Sequence, residues 1–132
     1  MSRGVLDTSI LISQDDDASL AEVLPEESSI SVVTLAELHY GVLVAKNDEV
    51  RQHRLRRLGV IEATFQPIAI DSAVARAFAV VANAVKSAGR QPRARVMDLW
   101  IAATALSLDA PVYTRNREDF AGLDSLIEVR VV

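Results

Sequence analysis

What most constrains this chain is the way its apolar stretches change period along the sequence. Short strand-like runs fall at Val5-Leu6, 29–32, 65–70, 111–114 and 127–131. Longer helix-like stretches stand between them, at 34–46, 48–58, 72–88 and 96–108. Strands that alternate with helices build a parallel sheet, because each crossover lays its helix on one face. The expected fold class is α/β, a three-layer sandwich around a central parallel sheet of about five strands.

Local signals place the boundaries. A short helix is expected from Ser9, after a strand that ends at Leu6. The polar run Gln14-Asp15-Asp16-Asp17 leads to a helix over 18–24, which Pro25 stops. Thr34-Leu35-Ala36-Glu37 opens the next helix, Gly59 closes the basic one over 48–58, and Asp71-Ser72 caps the Ala/Val-rich one that runs to Gly89. Gly89-Arg90-Gln91-Pro92 reads as a loop and 116–120 as a turn or short helix.

The chain has 132 residues, half of them hydrophobic. That length suits one domain over 1–132 with a sizeable core, and the composition excludes disorder. There is no repeat and no linker-like segment. No apolar run nears the roughly 20 residues that span a bilayer, and Met1-Ser2-Arg3-Gly4 has no signal-peptide pattern. Zero cysteines exclude disulfides, zinc ribbons and thiol nucleophiles. A cytoplasmic location is expected. The net charge of −4 hides an asymmetry: residues 1–50 carry ten acids and two bases, residues 51–132 eight acids and twelve bases. An enzyme that holds metal through carboxylates and a polyanion through arginines has this pattern, and so does a protein with two ordinary solvated faces.

Individual carboxylates carry the chemistry. In open parallel sheets ligands bind beyond the carboxyl ends of the strands, which is where Asp7 falls. Its bland role is to cap the helix that follows, although Thr8 and Ser9 could do so instead. Glu37 completes a capping box with Thr34, yet also sits early in a helix after a strand, near the same sheet edge. Asp98 lies in a helical first turn beside Ile101, Ala102 and Ala105. An apolar stripe around a charge demands compensation by a cation, an arginine or the helix dipole. Asn116 and Asp119 follow a strand and suit local turn bonding. Asp71 reads as a cap. His39 and His53 have no Cys or His companions, so zinc is not expected, and no Gly-rich phosphate loop exists. A haloacid-dehalogenase-type phosphatase would need an aspartate where Ser9 stands. A receiver domain would need acids within residues 1–6, and there are none.

Leu6-Asp7-Thr8-Ser9, then Thr34-Leu35-Ala36-Glu37-Leu38-x-x-Gly41, then Asp98-Leu99-x-Ile101-Ala102-Ala103-Thr104-Ala105, then Thr114-Arg115-Asn116-x-x-Asp119-Phe120 together resemble the PIN domain, and specifically the VapC toxins of VapBC toxin–antitoxin pairs. The resemblance spans essentially the whole chain. It implies an endoribonuclease dependent on Mg²⁺, with Mn²⁺ a possible substitute, that forms a homodimer and is inhibited by a small VapB-type antitoxin. It makes Asp7 and Asp98 the metal ligands, Glu37 the second-motif acid that orients water or acts as base, and Asp119 an outer or second-metal acid. Some family members carry an acid where this chain has Asn116. Thr8, Thr114, Arg115, Asn116 and Arg117 are the expected substrate contacts, with Arg90, Arg93 and Arg95 close before Asp98. The cluster Arg51, Arg54, Arg56, Arg57 is expected to form a separate basic face, and Trp100 to lie in the core or a dimer interface rather than stack on a base. The apolar helices over 72–88 and 97–108 offer more surface than one small sheet covers, which also suggests a dimer. The competing readings are a non-catalytic PIN-like module that binds RNA or protein, and a DNA nuclease of related fold.

Overall fold

The computed structural model describes residues 2–13 and 19–132, so the polar run 14–17 and the first residue of the expected 18–24 helix lie outside the described residues. Strands β1 (Arg3–Leu6), β2 (Glu27–Ser29), β3 (Val112–Thr114) and β4 (Val129–Val131) form one sheet in the order β2-β1-β3-β4. Every pairing is parallel. The helices are α1 (Thr8–Ser13), α2 (Leu20–Val23), α3 (Val32–Leu43), α4 (Asp48–Thr64), α5 (Ser72–Ser87) and α6 (Val96–Ser107), with short 3₁₀ turns at Pro92–Arg95 and Arg117–Phe120.

Side chains alternate across a strand, and here that period divides the core into two layers. Val5 and its register partner Val112 face α5 and α6, in a cluster with Val81, Val85, Leu99, Ile101 and Phe120. Leu6 and its partner Tyr113 face the other way, in a cluster with Ile10, Leu11, Leu38, Leu58 and Ile61 from α1, α3 and α4. The three-layer α/β sandwich is therefore present.

Several boundaries differ from expectation. The stretch at 65–70 contributes one parallel bridge, Ser31 with Ile68, rather than a fifth strand. Ile68 N donates to Ile30 O and Val32 N donates to Ile68 O, but Ala69 O then accepts from Asp71 N at 3.1 Å and the chain turns into α5. The second strand lies earlier than expected, at Glu27–Ser29, and the last is trimmed to Val129–Val131. Helix α4 runs through Gly59 to Thr64 instead of ending there. An interior glycine costs about 1 kcal/mol, but Leu58 and Ile61 sit three apart on one buried face and hold the turn together. Asp71 caps α5 as expected, accepting from Val74 N at 2.9 Å.

Candidate active site

Two strand ends, of β1 and β3, and the N-terminal turns of two helices, α3 and α6, converge at the carboxyl edge of the sheet. Asp7 follows β1 directly and its N–H donates to Tyr113 O of β3 at 2.8 Å. Pairing β1 with β3 thus sets Asp7 beside Thr114. Asp7 starts α1 with its own carbonyl, which accepts from Ile10 N. Its carboxylate Oδ2 accepts from Ser9 Oγ at 2.6 Å and from Thr114 Oγ1 at 2.9 Å. Asp7 is 3% exposed, so this carboxylate is nearly withdrawn from water and oriented by hydroxyls.

Glu37 does not serve a capping box. Helix α3 begins two residues earlier than the Thr34 signal suggests, and Ser31 caps it by accepting from Val33 N at 3.0 Å. Thr34 is then inside the helix and fully buried. Glu37 falls in the second turn, where Oε1 accepts from Thr8 Oγ1 at 2.8 Å. Thr8 Oγ1 also meets Thr34 Oγ1 at 3.0 Å. Burial pushes the Glu37 carboxyl upward; the Thr8 hydrogen bond opposes this, and the charges of Asp7 and Asp119 add to it.

Asp98 stands in the first turn of α6, with Leu99, Ile101, Ala102 and Ala105 fully buried around it. Burial first, then the charges of Asp119, Asp7 and Glu37, push its carboxyl up to about 7, against the pull of Arg95. Asp119 is raised too, mainly by burial and next by Asp7, while Arg95 and a hydrogen bond from Asn116 Nδ2 hold it back. Four acids from distant stretches therefore share one electrostatic field, and Asp98 holds a proton close to neutral pH.

Such repulsion is what a divalent cation relieves. Among the described residues no three acidic or histidine side chains form a ready-made cage. Mg²⁺ needs less than that: one or two carboxylates, with water and substrate oxygens completing its shell. The hard oxygen donors of Asp7 and Asp98 fit this demand.

The remaining expected contacts divide. Thr8 and Thr114 are buried and hold Glu37 and Asp7. Arg115 is exposed and its N–H donates to Ser9 Oγ at 3.1 Å. Asn116 Oδ1 caps the turn Arg117–Phe120 by accepting from Glu118 N, and its amide nitrogen donates to Asp119. Asn116 thus positions Asp119. Arg117 lies toward β4, donating to Val129 O at 3.3 Å and standing 3.9 Å from Asp124. Arg90 and Arg95 both pair with Glu118, which pins the 3₁₀ turn before α6 to the one after β3. Trp100 stacks on Phe78 with centroids 4.0 Å apart, a contact inside the fold.

Ser9 and Thr34 are the site residues that sequence reasoning passed over. Both are small hydroxyls next to a recognised acid motif, and both had an adequate explanation as helix caps.

The sequence profile of the PIN domain family matches residues 4–126. The chain belongs to the PIN domain family. This PIN domain is 40% identical over 132 residues to "Ribonuclease VapC5" of Mycobacterium tuberculosis, covering 99% of the chain and 95% of that protein. It is 36% identical over 97 residues to "Ribonuclease VapC4" of the same organism, covering 74% and 72%. Its fold is similar to the crystal structure of VapBC-5, a member of the VapBC family of toxin–antitoxin systems from Mycobacterium tuberculosis, with a TM-score of 0.85 and 38% identity over 100% of both chains. FitAcB from Neisseria gonorrhoeae follows the same PIN fold with a TM-score of 0.78 and 27% identity, covering 96% and 95%.

Proposed function

We propose that this PIN domain is a metal-dependent endoribonuclease, the toxin of a VapBC-type pair, which hydrolyses a phosphodiester of a cellular RNA. The observation that carries the reading is the shared field of Asp7, Glu37, Asp98 and Asp119, strong enough to lift Asp98 to about 7. The similarity to proteins named as VapC ribonucleases supports the substrate class.

Mg²⁺, or Mn²⁺ in its place, would be held by Asp7 and Asp98 and would supply charge neutralisation and an acidified water. The residues do the rest. Ser9 and Thr114 fix the Asp7 carboxylate, so its donor oxygens need no reorganisation on loading. Thr8 occupies Glu37 Oε1 and leaves Oε2 as the atom to orient the attacking water and take its proton. A carboxyl lifted by burial is a better base than an exposed one. Asp119, held by Asn116, completes the acidic rim. Arg115, whose N–H donates to Ser9 Oγ beside Asp7, contacts a phosphate, which positions a strand without reading its sequence, while Arg117 is turned toward β4.

The partner is a VapB-type antitoxin, since the solved relatives are toxin–antitoxin complexes. An apolar groove of about 550 Å³ between α3 and α4, lined by Val42, Leu43, Leu55 and Leu58, offers it a surface. The setting would be the cytoplasm, where RNA and antitoxin meet. No helix among the described residues is long and apolar enough to cross a membrane.

The deciding experiment incubates total RNA with wild type and with Asp7→Asn, each with Mg²⁺ and with chelator. Cleavage by wild type with metal alone is the expected result. Equal cleavage by the variant, or indifference to chelator, overturns the mechanism.

A further inference from the structure

Helix α4 carries Val50, His53, Arg54 and Arg57 at the spacing i, i+3, i+4, i+7, which places them along a single stripe. That stripe is half-buried at Val50, Arg54 and Arg57 and exposed at His53. It lines a cleft of about 370 Å³ whose opposite wall is α3, with Glu37 and Leu38. A helix exposing its basic residues merely to stay solvated would leave them all open. Here Arg54 and Arg57 are half-buried, as is Arg51, which is off the stripe and pairs with Asp48, whereas Arg56 is exposed. The basic residues expected to form a separate face are thus divided, and two of them share a cleft with a candidate catalytic acid.

The chemistry of the cleft is specific. Arg54 Nη1 donates to Gly41 O at 2.6 Å, which anchors one arm of the guanidinium to the end of α3. Among the described residues no carboxylate pairs with Arg54, and Gly41 O takes one of its five donors. A planar fork suits phosphate oxygens, and Leu38 and Val50 supply apolar wall for a sugar or base.

We propose that this cleft is a subsite for the substrate strand, in which Arg54 and Arg57 bind a backbone phosphate flanking the one that is cut. The strand then passes from the Asp7–Asp98 edge over Glu37 and along α4. The proposal rests on the nuclease reading and adds to it the path that the RNA takes.

The test measures binding of a fluorescein-labelled single-stranded oligoribonucleotide by anisotropy, in chelator and across a range of KCl, with cleavage of the same strand followed separately in Mg²⁺. Each phosphate contact contributes about 0.7 to the slope of log K against log salt for a single strand. Arg54→Gln and Arg57→Gln combined should reduce the slope by about 0.7 and weaken binding about fivefold. Arg54→Lys should keep the slope, and Arg56→Gln should leave it near the wild-type value. A structural role alone would not move the slope, and thermal melts identify any variant that fails to fold. If wild type binds and cuts RNA while Arg54→Gln and Arg57→Gln combined keep its slope, or if Arg56→Gln loses as much, the cleft is not the subsite and the nuclease reading stands. If wild type neither binds nor cuts RNA, that reading falls and the subsite with it.

Discussion

Thr8 has one hydroxyl proton and two oxygen neighbours, Glu37 Oε1 and Thr34 Oγ1. Donation to Glu37 obliges Thr34 to donate to Thr8, so a buried hydroxyl pair orients the carboxylate. Thr8→Val deletes the interaction that opposes burial at Glu37, and the carboxyl should titrate higher than in wild type. Carbon-detected NMR titration of Glu37 reads this directly, and an unchanged midpoint would count against the pairing. Asp98 gives a second prediction. Its carboxyl ionises near 3.8 in an ordinary setting and at about 7 in the metal-free fold, so the native state binds the proton more tightly. The stability this contributes is fully present below the unfolded value and is lost as pH rises through 7. Melts in chelator should therefore show wild type losing Tm relative to Asp98→Asn between those values, and parallel curves would refute the coupling. Glu37 and Asp119, also raised, act in the same direction. The four acids were legible from residue type and place. What held them was less so: Ser9 reaches Asp7 from two positions away, but Thr114 and Thr34 act on partners 107 and 26 positions away, which local spacing cannot reveal.

At the scale of elements, one cap decides where Glu37 falls. Ser31→Ala should cost about 1 kcal/mol, measurable by urea unfolding, with no loss of the Thr8–Glu37 bond in the folded form. Helices α5 and α6 were readable because long apolar periodicity needs no tertiary information. Segment 65–70 was not: its strand-like composition is real, but the turn at Ala69–Asp71 limits its pairing to Ile68. Gly59 misled for the converse reason, since the packing of Leu58 and Ile61 outweighs its local preference. The same two helices, α3 and α4, leave Leu43 at 76% and Leu55 at 55% exposed beside an apolar groove. A surface of that kind marks a contact site. Leu43→Glu with Leu55→Glu should abolish co-purification with the antitoxin while RNA cleavage by the isolated chain persists. Retained co-purification would move the partner elsewhere.

The whole molecule is a sheet whose chain order and spatial order differ. Alternation of strands and helices disclosed the layers, since each face of the sheet needs its own cover. It did not disclose that β1 lies between β2 and β3, because strand order depends on pairing that no local pattern encodes. The stacked Phe78 and Trp100, only partly buried, and the 48% exposed Val80 lie on α5 and α6, whose apolar surface is the basis for expecting a homodimer. Sedimentation at micromolar concentration should give twice the 14.3 kDa chain mass, and a monomer would exclude that arrangement. The pairing of β1 with β3 has a consequence in time. Asp7 leaves the ribosome early, but the hydroxyl of Thr114 that seats it is 107 positions behind. Until Thr114 is made and β3 pairs with β1, the Asp7 carboxylate has only Ser9 to orient it.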